Sequence, residues 1–321
     1  MSVRSALTKA SRSVPRHVQK PVLISQPSCL IYADKAIIAI NKPPGLICQS
    51  NKSYEKQGKK SAFDQLLEDL KVELSLDDLP KQVHRLDKLT TGAYLFAKSN
   101  TQARALSQQF RDHSLKKTYL AIVRGGRKTF PDSARGSINA PLKVVEEKVV
   151  VDEKNGVPAL TDWELLGSSE VAPLSILRLS LHSGIKHQLR IHLSQILQAP
   201  ILGDALYSSK APPKNILELV PKSISVSLSR DGQETKRTPS LRLFLHSAHI
   251  DVTRYRSSGP SKRLRLGISA PLPWYFLELC KAAKLSQYLP SEYIHGGLMV
   301  DGVPVNPGEG ILGLDGKWLG A

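Results

Sequence analysis

The chain predicts an α+β fold, and three features of its 321 residues point there. Strand-like and helix-like stretches follow one another in irregular order rather than as repeated βαβ units. Hydrophobic residues make up 41% of the chain, enough for a real core, and no fixed-period repeat is present. No run approaches the ~18 apolar residues of a membrane span, so a soluble protein with no membrane partner is expected.

The elements can be justified in order. Cys29 to Ile47 reads as short strands around an Asp34-Lys35 turn, closed by the Pro43-Pro44-Gly45 break. Asn51 to Lys60 is polar and reads as loop, and Phe63, Leu66, Leu67 and Leu70 then recur at helical spacing. Gly92 to Lys98 alternates as a strand does, and Asn100 is placed to cap a helix carrying Ala103, Leu106 and Phe110. Lys117 to Arg124 is a strand ending at Gly125-Gly126. Ile176 to His182 is another, with Leu177, Leu179 and Leu181 facing one way, and His187 to Leu197 resumes a helical period. Ser208 to Ser240, rich in Pro, Ser and Lys, reads as an inserted loop or hairpin. Leu241 to Val252 is a strand, Pro271 to Lys284 a short helix, and the Gly-rich end from Gly296 a run of loops with a hairpin at most. The domain division that follows is 1–28 as a leader, 29–285 as the main domain with 208–240 inserted, and 286–321 as a tail.

Lys and Arg total 45 against 28 Asp and Glu, a formal charge of +17 that favours a polyanionic partner. Cys29, Cys48 and Cys280 form no Cys-x-x-Cys pair, which excludes a zinc ribbon and fits a reducing compartment. The first acidic residue is Asp34; before it Arg4, Lys9, Arg12, Arg16 and Lys20 are mixed with serines. Such an acid-poor, amphipathic start resembles an organellar transit peptide, the other reading being a disordered basic arm.

His84-Arg85-Leu86-Asp87-Lys88-Leu89-Thr90-Thr91-Gly92 carries the chemistry. It precedes a strand and so occupies a loop over a sheet edge, where functional groups concentrate. Arg85 and Lys88 beside Asp87 favour an anionic carboxylate, which can serve as nucleophile or base; a salt-bridged loop is the bland alternative.

This run resembles the His-Arg-Leu-Asp-x-x-Thr-Ser-Gly loop of the RluA-type pseudouridine synthases, with Thr91 in place of serine. Asn41-Lys42-Pro43-Pro44-Gly45-Leu46, Lys117 to Val123 with Gly125, Ser183-Gly184 with His187-Gln188-Leu189-Arg190, and Pro200 to Asp204 with Tyr207 match in the family's order. Leu245-His246 adds a weaker match. The resemblance implies a mixed, mainly antiparallel central sheet with flanking helices and an active site in a basic cleft. It implies that Asp87 is the catalytic aspartate, that Arg190 pairs with its carboxylate, and that Tyr119 stacks on the target base. Arg85 would enter the RNA stack vacated by a flipped nucleotide, since the glycosidic bond is unreachable inside a helix. His84, Lys42, Lys186 and His187 are assigned with it to RNA contact. The implied reaction moves C1′ of the ribose from N1 to C5 of uracil, with Asp87 attacking the sugar or abstracting a ribose proton; neither route needs a cofactor or metal. Ile185 stands where the family has arginine, with Lys186 next to it.

Other patterns carry less. Gly308-x-Gly-x-x-Gly313 has no helix after it to hold a dinucleotide. His187 and His192 are five apart, about 140° around a helix, and cannot share a metal. No P-loop or Gly-x-Ser-x-Gly elbow occurs. The expectation is an RNA uridine isomerase, probing mitochondrial large-subunit ribosomal RNA first, as a monomer; the alternatives are tRNA or mRNA as substrate, a cytoplasmic or nuclear site, or a silent RNA-binding or ribosome-assembly factor on the same fold. Target choice is expected from the main domain, the tail and the insertion, where Lys210, Lys214, Lys222, Arg230, Lys236 and Arg237 could meet phosphates.

Overall fold

The computed structural model describes residues 29–49, 60–146, 148–208, 211–221, 224–226, 240–256, 258, 261–306 and 308–320. The leader and the cations Lys210, Lys222, Arg230, Lys236 and Arg237 lie outside these residues.

Strands β1 (Leu30–Ala33) and β2 (Ile37–Lys42) turn about Asp34, whose Oδ1 accepts from the backbone N–H of Ala36 at 2.7 Å and of Ile37 at 2.8 Å. Helix α1 (Ala62–Glu73) begins with a capping box, Ser61 and Asp64 exchanging side-chain and backbone bonds. After β3 (Lys81–Gln82) and β4 (Thr91–Ala97) comes α2 (Asn100–Arg111), where Ser99, one residue before the Asn100 expected, is the cap. β5 (Lys116–Arg124) leads to β6 (Arg135–Asn139), the hairpin β7 (Leu142–Val145) and β8 (Lys148–Val151), and the long pair β9 (Leu160–Ser168) and β10 (Leu174–Leu181).

Helix α3 (Gln188–Ile191) continues as a wider turn over His192–Ile196. Next come α4 (Lys214–Leu219), β11 (Ser225–Val226), β12 (Ser240–Leu241), β13 (Leu245–Tyr255) and β14 (Arg263–Ser269). The chain ends with α5 (Trp274–Ala282), α6 (Ser291–Ile294), β15 (Gly297–Val300), β16 (Val303–Pro304) and β17 (Lys317–Trp318). No helix among the described residues is long and apolar enough to cross a membrane.

One 13-stranded sheet organises the molecule, with β17-β1-β2-β4-β13-β5-β10-β9-β6 as its spine. Its pairings are antiparallel except β4 with β13, which run parallel. Period-two alternation sorts β5 between two cores. Tyr119, Ala121 and Val123 join Leu177, Leu179 and Leu189 on one face, while Leu120 and Ile122 join Phe244, Tyr275 and Phe276 of the α5 side on the other.

Two expectations need correcting. The inserted segment contributes to the core: Ile216, Val220 and Ile224 are buried in the α5-side cluster. The C-terminal run is more than loops and a hairpin, because β15 pairs with β14 and β17 with β1, extending the same sheet.

Candidate active site

Asp87 lies on the loop between β3 and β4, and a set of bonds from three directions fixes that loop. Thr90 N–H closes a turn onto the Asp87 carbonyl at 3.1 Å. Tyr94 Oη and Gln82 Nε2 both donate to the His84 carbonyl, at 2.7 and 2.9 Å. The His84 ring is stacked between Tyr94 and Phe110, with 4.5 Å between centroids on each side. Its Nε2 accepts from Leu95 N–H at 2.8 Å, and burial, with help from Lys117, pushes its pKa down to about 3. His84 is therefore a neutral structural ring whose edge reaches the cavity.

Lys42 corrects an expectation. It was assigned to RNA, but it is fully buried and its Nζ donates to the carbonyls of Pro43 (3.1 Å), Lys88 (3.1 Å) and Thr90 (2.8 Å). Gly45 N–H adds a bond to the Lys88 carbonyl at 2.8 Å. The Asn-Lys-Pro-Pro-Gly motif is thus a clamp on the far side of the Asp87 loop. Burial lowers the Lys42 pKa to about 8 against the pull of Cys48 and Asp87.

The other end of the loop is pinned where β4 meets β13. Thr91 Oγ1 bonds His246 Nδ1 at 2.9 Å, and His246 Nε2 donates to the Ala270 carbonyl at 3.1 Å. The hydroxyl that Thr91 shares with serine is what this contact uses. Gly92 pairs with Ser247 at φ +107°, and a Cβ there would overlap the Ser247 carbonyl oxygen, so glycine is required.

Across the cavity stands α3. Arg190 was expected to pair with Asp87; its short bonds go instead to Asp204, Nε to Oδ2 at 2.8 Å and Nη2 to Oδ1 at 2.7 Å. Asp87 Oδ2 lies 3.8 Å from Arg190 Nη1, close enough to feel the charge but beyond a hydrogen bond. Burial opposes both charges of the Arg190–Asp204 pair, yet their mutual bonds prevail, raising the arginine pKa and lowering that of the carboxyl. Asp204 is itself held by the N–H groups of Leu206 and Tyr207, at 2.9 and 3.1 Å.

His187 occupies the left-handed turn at φ +57° that starts α3. Its Nδ1 is 2.7 Å from Tyr207 Oη, which also accepts from Val149 N–H at 3.3 Å. On the other side of the ring, His187 Nε2 lies 3.9 Å from Asp87 Oδ2. Burial lowers the His187 pKa, with Asp87 opposing and Arg190 and Lys186 reinforcing. Gln188 braces the turn by accepting from Ser183 Oγ (2.9 Å) and Ile185 N–H (3.2 Å).

Between loop and helix is a cavity of about 510 Å³. Tyr119, 6% exposed, presents its ring there, and burial raises the pKa of its hydroxyl, with Ser247 opposing. Arg85 is exposed at the rim and Lys186 half-buried beside it. Ile185 lines the cavity while packing against the cluster of Leu142, Val149, Ala159 and Ile191, so the position has an apolar use in this chain. The remaining histidines of the series are elsewhere: His182 pairs with Asp162 and His192 is buried between Thr161 and Ala140.

Asp87, Tyr119, Arg190, His187, His84, Arg85 and Lys186 thus converge on one cavity, and Lys42 stands behind it. Asp204 and Tyr207 were absent from the sequence-derived site. The signal available for them was the Pro200–Asp204 motif itself, with Gly203 at φ +81° where a Cβ would overlap the Arg242 carbonyl.

Comparison with known proteins agrees with this geometry. The family model described as RNA pseudouridylate synthase matches residues 36–195. A protein of Pasteurella multocida named tRNA pseudouridine synthase C is 35% identical over 263 residues, covering 78% of this chain and 93% of the relative. RNA pseudouridine synthase 4, mitochondrial, of Arabidopsis thaliana is 32% identical over 256 residues, 70% of this chain and 51% of that one. Against two other relatives the chain spans only 61% and 55% of their length. Among solved structures, human RNA Pseudouridylate Synthase Domain Containing 4 superposes with a TM-score of 0.57 at 25% identity, over 78% of this chain and 91% of its own. With the aspartate loop, its clamp, the tyrosine strand and the arginine helix joined in one cavity, the chain belongs to the RluA-type RNA pseudouridine synthase family.

Proposed function

We propose that this protein isomerises uridine to pseudouridine in RNA, with Asp87 as the catalytic carboxylate. The observation that carries the reading is the placement of Asp87 on a clamped loop, facing Tyr119 and 3.8 Å from the Arg190 guanidinium across a cavity of nucleotide size. A flipped uridine would enter with its base against the Tyr119 ring and its ribose toward Asp87, while Arg85 at the rim fills the vacated stack. The N1–C1′ bond breaks, uracil turns, the C5–C1′ bond forms, and the proton of C5 leaves as N1 gains one. Arg190, already neutralised by Asp204, holds a fixed positive dipole toward the carboxylate rather than forming a closed ion pair with it. His187 turns its Nε2 toward the same oxygen.

Mitochondrial large-subunit ribosomal RNA is the substrate and compartment we favour. The basic composition, the acid-poor residues 1–28 and the mitochondrial name of the Arabidopsis relative support the compartment. Relatives named for the large ribosomal subunit support the RNA class. The chain is taken to act as a monomer.

Tritium release from RNA carrying 5-³H-uridine tests the activity. Wild type should release tritium and Asp87→Ala should not, with RNA affinity retained. Equal background release from both, with both binding RNA, makes the protein an RNA-binding factor instead. Mapping pseudouridines in mitochondrial RNA with and without the gene tests the substrate.

A further inference from the structure

Lys117 has no part in the scheme above, and its surroundings ask for a ligand. It sits two residues before Tyr119 on β5, on the same face, so the two Cα atoms are about 6.6 Å apart. The side chain is 7% exposed, and that remnant opens into the cavity holding Asp87. Among the described residues its one hydrogen bond is a long one, Nζ to the Ser183 carbonyl at 3.3 Å. An ammonium carries three donors. His84, Phe110, His113, Leu181 and Gly184 line the cavity with it, and Asp87, the carboxylate of that lining, makes its close approaches to His187 and Arg190 rather than to the lysine. Lys42, equally buried, shows the contrast: it places three bonds on three carbonyls.

A buried cation with spare donors is costly unless an anion or strong acceptor meets it. We infer that Lys117 is a further substrate-contacting residue, whose ammonium bonds a negatively charged oxygen of the target nucleotide. This rests on the functional reading above. Burial lowers the pKa of Lys117 to about 8, the direction expected of an ammonium whose counter-charge arrives with a ligand.

The RNA offers such an oxygen in two forms. A phosphate flanking the flipped uridine is charged throughout. The uracil oxygens become charged when the N1–C1′ pair leaves with the base, whether Asp87 bonds C1′ or takes a ribose proton; that charge spreads over O2 and O4. A phosphate contact is present on binding and a uracil contact strengthens at the transition state, so kinetics separate them.

The test compares wild type, Lys117→Met and Lys117→Arg in tritium release, with thermal midpoints measured alongside. Loss of a hydrogen bond to a charged group predicts a drop of about 10- to 100-fold in kcat/KM for Lys117→Met, with partial recovery in Lys117→Arg. A rise in KM assigns the phosphate and a fall in kcat the uracil. RNA with a neutral methylphosphonate beside the target then checks the assignment. It should leave Lys117→Met unaffected if that phosphate is the partner, and should add to the mutation if uracil is. Unchanged kcat and KM in a folded Lys117→Met protein overturn the inference. Should wild type isomerise no RNA, the functional reading fails separately. Lys117 is then judged by affinity of the Asp87→Ala chain for uridine-containing RNA, where no change on adding Lys117→Met overturns it.

Discussion

Lys42→Met separates stability from catalysis, because the structure makes its two effects on folding nearly cancel. Removing the ammonium strips two carbonyls, those of Pro43 and Thr90, of their hydrogen-bond partner among the described residues, while the Lys88 carbonyl keeps Gly45 N–H. Each buried unsatisfied carbonyl costs about 1–3 kcal/mol, so the pair costs about 2–6 kcal/mol. Against that, a lysine whose pKa falls from 10.5 to about 8 is destabilising in its charged form by about 3 kcal/mol. Its folded pKa lies below its unfolded one, so this penalty is complete below pH 8 and disappears as pH rises toward 10.5. At pH 7 methionine removes the penalty along with the bonds, and net stability should lie between about 3 kcal/mol lower and about 1 kcal/mol higher. The Asp87 loop, however, loses its rear clamp. A displacement of about 1 Å at a reacting group can cost about 100-fold in rate. Differential scanning calorimetry should therefore show a folded protein, and tritium release at saturating RNA should show kcat reduced about 100-fold. Wild-type kcat in Lys42→Met would refute the clamp. Loss of activity that returns in full on cooling would show that Lys42 acts on stability alone.

Three further changes probe the rest of the scaffold. Asp204→Asn leaves the Arg190 guanidinium buried without its anion and should destabilise by about 3–5 kcal/mol, read from the urea midpoint, with kcat falling as the arginine turns toward Asp87. Gly92→Ala drives a Cβ into the Ser247 carbonyl at a positive φ and should lower stability by about 3 kcal/mol or more, measured by calorimetry. His187 has a folded pKa below its ordinary value, so its contribution to stability is intact above about pH 6.5 and is lost as pH falls through the lowered value. Thermal midpoints of wild type should fall more steeply than those of His187→Gln between pH 7 and pH 4; parallel curves would contradict the assignment.

Much of the sheet was legible because its strands are buried on two faces or alternate cleanly. Lys116–Arg124 holds an unbroken apolar run from Tyr119 to Val123, Leu174–Leu181 alternates leucines with polar residues after Leu177, and each is recognisable to within two residues. Arg135–Asn139 buries only Ile138, and the β7–β8 hairpin buries only Leu142 and Val149, so local sequence gave little to find. Tyr32 and Ala33 of β1 take up Lys317 and Trp318, an edge pairing decided by tertiary contact rather than by local propensity. In the site, Asp87 and Tyr119 could be found because a short run of residues around each is distinctive. Lys42 looked like a phosphate ligand because lysine is rarely buried. Its three carbonyl acceptors come partly from a loop more than 40 positions away, which no local pattern reveals.

The same distinction explains why the motifs are spread along the chain yet fail to look like a catalytic cluster. Most of their residues hold other residues of the protein in place. Thr91 and Gly92 fasten the Asp87 loop to β13, Lys42 and Gly45 fasten it to β2, and Tyr94 fastens its start to β4. On the facing side Gln188 shapes the turn before α3, Tyr207 orients the ring of His187, and Asp204 fixes the plane of the Arg190 guanidinium. The charged groups of the two halves approach each other at Asp87 Oδ2, across gaps of 3.8 and 3.9 Å. A carboxylate in a tight ion pair would be a poor nucleophile or base, whereas one held just short of its cation stays available while its charge is steadied. Keeping that spacing requires rigid supports on both sides, and this is why so much of the recognisable sequence is committed to supporting one oxygen atom.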